Sequence, residues 1–156
     1  YLRRIVQKEH VTMSDEGLTA IFEVCGGDLR RAVNTLQAAA SLNKPVNGEI
    51  VYSVIGRANP IDVRNMITLA MKGDFIGARQ KLREMILKYG VAGSDIIKQI
   101  HIEIFRSGLP DQWKVKLADA IGEIDFRLVQ GADEEVQLSA LLARLTEAGY
   151  ELKRGG

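Results

Sequence analysis

From Leu2 to Leu145 the apolar residues return every three or four positions, and each such run is bracketed by helix start and stop signals. No segment shows the strict alternation of a half-buried strand. A chain patterned this way is confined to all-α architectures, in which short connections bring successive helices side by side.

The punctuation predicts the helices one by one. Leu2, Ile5 and Val6 open a short helix over residues 2–9. Ser14 caps a second, with Asp15 and Glu16 in its first turn and Leu18, Ile21, Phe22 and Cys25 as the expected buried stripe. Gly26-Gly27 end it, and Asp28 caps a third helix whose expected buried face is Leu29, Val33, Leu36 and Ala40. Asn43 to Pro45 stop that helix, and Asn47 caps a short fourth through Val54. The segment Gly56-Arg57-Ala58-Asn59-Pro60 is the strongest break in the chain.

Beyond it the helices lengthen. Pro60 fits N1 of a helix with Val63, Met66, Ile67, Ala70 and Met71 turned inward. Gly73 and Asp74 separate it from a helix that Gly90 ends, Ser94 is expected to open the next, and Pro110 fits N1 of a long one. Asp133 caps a last helix bearing Leu138, Leu141, Leu142 and Leu145. The expected organisation is a small helical domain over residues 1–56, a five-helix bundle over 57–150 and a flexible polar tail over 151–156.

Charge and composition narrow the function classes. The 156 residues carry 21 Lys and Arg against 20 Asp and Glu and are 46% hydrophobic, which excludes a disordered chain and a polycation. No apolar run reaches the roughly 18 residues of a membrane helix, and no apolar signal segment follows a basic start. The only cysteine, Cys25, cannot form an internal disulfide. A soluble, cytoplasmic protein is expected. The chain opens at Tyr1 without Met and enters helical spacing at once, so it is expected to be a piece of a longer protein.

Few residues offer chemistry. His10 and His101 have no cysteine or carboxylate at metal-ligand spacing, so no metal site is expected. Cys25 and Trp113 lie on apolar stripes and read as packing. No phosphate-binding GxxxxGK[ST] loop, GxGxxG turn or GxSxG elbow occurs. The chain by itself is not expected to be catalytic.

The exception is Gly26-Gly27-Asp28-Leu29-Arg30-Arg31. Two glycines allow a tight turn, Asp28 caps the helix, and two arginines follow in its first turn. Cations there oppose the positive end of the helix dipole, an arrangement that makes sense if an anion is to be met. A guanidinium suits phosphate oxygens because it keeps its charge and bonds bidentately. Pairing of Arg30 and Arg31 with Glu23 or Asp28 explains the pattern equally well, and the residues alone leave both readings open.

The string GGDLRRAVNTLQAAA resembles the sensor-2 segment of AAA+ clamp loaders, nearest to the archaeal replication factor C small-subunit family. GDFIGARQKLREMILKYGVAGSDIIKQIHIEIF resembles that family's collar helices, and GEIDFRLVQGADEEVQLSALLARL their C-terminal pair. The resemblance implies a lid over residues 1–56 and a ring-forming collar after it, with a nucleotide-binding domain ahead of Tyr1. It implies that Arg30 senses the γ-phosphate of ATP, supported by Gly26, Gly27 and Asp28. Arg31 lies about 100° round the helix from Arg30 and is left for a neighbour or a carboxylate. Arg31, Asp125, Arg127 and Gln137 are candidate intersubunit residues. ATP with magnesium is implied for the intact protein, and the implied partners are the other subunits, the sliding clamp and primer-template DNA. Two other readings are an assembly module of another AAA+ ATPase, disfavoured by the lack of a winged-helix hairpin, and a helix-turn-helix DNA binder, disfavoured by the neutral charge.

Overall fold

Five helix starts are fixed by the side chains the sequence places there. Each takes up a backbone N–H that the first turn leaves without a partner. Ser14 Oγ accepts from Gly17 N at 3.0 Å, Asp28 Oδ1 from Arg31 N at 3.1 Å and Asn47 Oδ1 from Ile50 N at 2.9 Å. Asp74 Oδ1 accepts from Gly77 N at 2.9 Å, and Asp133 Oδ1 from Val136 N at 2.8 Å. The structure, a computed structural model, describes residues 1–155. The elements are α1 (Leu2–Lys8), α2 (Asp15–Cys25), α3 (Leu29–Ala40), α4 (Gly48–Val54), α5 (Pro60–Met71), α6 (Phe75–Arg83), α7 (Gly93–Arg106), α8 (Asp111–Val129) and α9 (Glu134–Gly155). No strand occurs among the described residues, so the fold is all-α.

The chain divides into two compact units, Tyr1–Asn59 and Pro60–Gly156. In the first, α2, α3 and α4 pack on one another around Ile21, Leu36 and Val51. Val46 is drawn against the start of α2, where Ser14 N donates to its carbonyl at 2.9 Å and its own N–H donates to Thr12 O at 2.8 Å. The inward faces differ from those expected. On α2 the buried residues are Gly17, Ala20, Ile21, Val24 and Cys25, while Phe22 is 60% exposed. On α3 they are Ala32, Thr35, Leu36 and Ala39, while Leu29 is 50% exposed. Small residues let these short helices approach closely, which turns two of their large apolar side chains outward.

In the second unit α9 is the central helix. The others wrap it in the order α6, α5, α7, α8, each packed on the next and all on α9. Leu138, Leu141, Leu142 and Leu145 are fully buried along it. Polar ties cross between helices: Arg79 and Arg83 both reach Glu135 Oε1, at 3.1 and 2.9 Å, and Arg64 Nε meets the buried Glu103 at 3.0 Å.

Several boundaries depart from the sequence reading. Helix α8 starts at Asp111, so Pro110, expected at N1, is instead its N-cap, with an extended ψ of 147°. Past Arg83 the helix widens into a π segment, Glu84–Lys88, before Gly90 turns the chain. Helix α7 starts at Gly93, ahead of the expected Ser94, because Glu134 Oε1 from α9 accepts the Gly93 N–H at 3.0 Å and caps the helix from outside. The residues expected to form a flexible tail continue α9 as far as Gly155, with Lys153 Nζ donating to Lys72 O at 3.2 Å. Gly156 lies outside the described residues.

Candidate functional site

The turn between α2 and α3 is built by backbone conformation. Gly26 ends α2 at φ 54° and Gly27 follows at φ 89°, both in the left-handed region that glycine enters without penalty. Asp28 N donates to Cys25 O at 2.9 Å and its carboxylate caps α3, so the start of α3 is held close to the end of α2.

Arg30 and Arg31 are both exposed on this first turn. Neither guanidinium has an ion-pair partner among the described residues. The two carboxylates that could have neutralised them are engaged elsewhere: Glu23 Oε2 accepts from Tyr52 Oη at 3.0 Å, and Asp28 accepts from the Arg31 backbone N–H. The first turn of α3 therefore carries two exposed cations, about 100° apart round the helix, next to the positive end of its dipole.

An apolar cleft of about 140 Å³ adjoins it, lined by Tyr1, Leu2, Phe22, Cys25, Leu29 and Ala32 together with Gly27 and Asp28. Sequence reasoning missed this feature because it placed Phe22 and Leu29 in the core. The signal that could have found it is that the small residues Gly17, Ala20 and Ala32 already supply an inward face.

The other singled-out residues do not converge. Asp125 is half-buried and lines a groove between α7 and α8. Arg127 pairs along its own helix with Glu123 at 2.6 Å, and the Gln137 amide oxygen is buried without a hydrogen bond. Cys25 is buried with Sγ 3.9 Å from Thr35 Oγ1. His10 is exposed, His101 packs edge-on against Phe105 at 4.8 Å, and Lys116 Nζ lies 4.7 Å from the ring of the half-buried Trp113. Among the described residues no group of three His, Cys, Asp or Glu side chains could hold a metal ion, and no helix is long and apolar enough to cross a membrane.

A helical unit with exposed arginines at a glycine-turned helix start, followed by a second helical unit, has the form of a AAA+ ATPase lid and its helical extension. Residues 1–41 match the family model described as RCF1/5-like, AAA+ ATPase lid domain. Residues 58–144 match the model of the replication factor C C-terminal domain, and the chain belongs to the replication factor C family. It is 51% identical over 154 residues to the replication factor C small subunit of Staphylothermus marinus, covering 97% of this chain and 46% of that protein. To the Pyrococcus horikoshii small subunit it is 50% identical over 148 residues, covering 95% and 17%. To that of Sulfurisphaera tokodaii it is 45% identical over 156 residues, covering 99% and 47%. The chain thus spans less than half the length of these relatives.

Proposed function

We propose that this chain is the lid and collar of a clamp-loader small subunit, which couples ATP binding and hydrolysis to placing a sliding clamp on primer-template DNA during replication. The observation that carries the reading is the unpaired Arg30 at the glycine-turned start of α3, within a chain whose two halves match a AAA+ lid and a replication factor C C-terminal domain. The lid is the first unit and the collar the second; the partners are sister subunits, the clamp and, through the remainder of the protein, DNA. ATP and its magnesium would be bound mainly by that remainder, and the protein would work in the cytoplasm.

Electrostatics supplies the mechanism. With no anion beyond the capping Asp28 carboxylate, Arg30 and Arg31 sit unfavourably at the positive end of a helix. A γ-phosphate within reach of Arg30 removes that penalty and adds a charge-assisted hydrogen bond, so the lid gains affinity for the arrangement in which nucleotide is bound. Hydrolysis and phosphate loss withdraw the contact, and the lid equilibrium shifts back. The exposed Phe22, Leu29 and Tyr1 beside Arg30 give the same end of the lid an apolar contact surface.

Replacing Arg30 by Ala in the intact protein tests this. ATP-dependent clamp loading is expected to fall by about 10- to 100-fold, the worth of one hydrogen bond to a charged group, while subunit assembly is unchanged. Normal loading and hydrolysis in that variant would overturn the sensor role.

A further inference from the structure

Glu23 stands in the last turn of α2, just ahead of Gly26-Gly27, and takes no part in building the turn. Its carboxylate is tied to α4 instead, where Tyr52 Oη donates to Oε2 at 3.0 Å. The two partners differ in freedom. Tyr52 is only 8% exposed, so packing fixes its ring and the position of its hydroxyl, whereas Glu23 is an exposed side chain with several rotamers open to it. Tyrosine is the fixed post, and glutamate is what it holds.

The other place for this carboxylate is the start of α3. Asp28 N lies 2.9 Å from Cys25 O, so α3 begins beside the end of α2. Thr35 Oγ1 is 3.9 Å from Cys25 Sγ, and Arg31 precedes Thr35 by one turn on the same face of α3, the face turned to the end of α2. Two long side chains of opposite charge on adjoining helix ends attract each other. An exposed ion pair of this kind is weak, while a hydrogen bond from a fixed hydroxyl to a carboxylate is a strong one, so the Tyr52 contact prevails. Arg57 acts on the same side as Tyr52. It is exposed just beyond α4, with no carboxylate within ion-pair distance among the described residues, and its charge reaches the Tyr52 hydroxyl.

We propose that Tyr52 is a positioning residue for nucleotide sensing: it holds the Glu23 carboxylate against α4 and so keeps the first turn of α3 positive for the terminal phosphate. The inference rests on the reading of Arg30 as the residue that meets the γ-phosphate, and it names what keeps that residue's surroundings charged. Once released, Glu23 neutralises Arg31, and the positive field at the helix start shrinks although Arg30 itself is untouched.

The test uses the intact protein and compares the binding of ADP with that of the non-hydrolysable β,γ-imido analogue of ATP, each with magnesium. These ligands differ by the phosphate that Arg30 meets, so the ratio of their dissociation constants isolates sensing, whereas a loosened lid weakens both alike. Arg30→Ala sets the scale and is expected to cut the preference for the ATP analogue by about 10- to 100-fold. Tyr52→Phe keeps the buried ring and removes only the hydroxyl. It is read in the Arg57→Ala background, where Arg57 cannot take over the hold, and is expected to cut the preference about threefold, the effect of one exposed charge pair. Adding Glu23→Gln restores it, because an amide cannot neutralise an arginine. An unchanged preference on Tyr52→Phe, or a loss that Glu23→Gln fails to restore, overturns the positioning role. If Arg30→Ala lowers the preference and Tyr52→Phe does not, only the role of Tyr52 falls; if Arg30→Ala leaves it unchanged, the sensor reading falls and takes this inference with it.

Discussion

Tyr52 is buried in α4, and its hydroxyl donates to Glu23 Oε2 at 3.0 Å. Burial, then the hydrogen bond and negative charge of Glu23, push its pKa from 10.0 up to about 12, against a smaller opposing effect of Arg57. The folded value lies above the unfolded one, so the interaction stabilises fully below an unfolded tyrosine's pKa of about 10 and is lost as pH rises through the folded value. Denaturation at a series of alkaline pH values is expected to show the wild type losing stability across that window more steeply than Tyr52→Phe. Parallel curves would show that ionisation of Tyr52 does not govern alkaline stability. At this same scale the sequence revealed five caps, because Ser14, Asp28, Asn47, Asp74 and Asp133 act through atoms only three residues away. It misplaced Phe22 and Leu29, because apolar spacing says which residues share a helix face and not which face the neighbouring helix will take. Arg30 was legible as an arginine at a helix start; its freedom from Glu23 was not, since that depends on Tyr52 twenty-nine residues further on.

Helices in the second unit approach one another at points that only their packing explains. Gly149 on α9 is one: a Cβ there would collide with the Met71 carbonyl at the end of α5, a backbone atom that cannot swing aside. Gly149→Ala is therefore expected to destabilise the protein by about 1–3 kcal/mol through overpacking. Gly122→Ala, with open space around it, is expected to stabilise the monomer by up to about 1 kcal/mol. Thermal unfolding of the two variants should move the midpoint in opposite directions, and a shared direction would contradict the contact geometry. The sequence alone does not rank the two glycines. For the same reason it missed the π segment and the start of α7, which Glu134 fixes from 41 residues away.

Over the whole molecule, each unit encloses its own core: Ile21, Leu36 and Val51 in the first, the four leucines of α9 with Ile97, Ile100 and Ile104 in the second. The helical punctuation foretold an all-α chain with its strongest break at residues 56–60, since glycine and proline act locally. It did not foretell that α9 would become the axis of the second unit, which follows from leucine side chains buried by four different helices. A unit that keeps its core without help should fold without help, and residues 60–156 are expected to do so when produced alone. They should give a helical circular dichroism spectrum and one cooperative unfolding transition, because the contacts that bury Leu138, Leu141, Leu142 and Leu145 come from α5 to α8. Arg30→Ala in the longer chain should leave that transition where it is, as distant sites add independently. A non-cooperative, dye-binding state of residues 60–156 would show that the second core needs residues outside that unit to complete it.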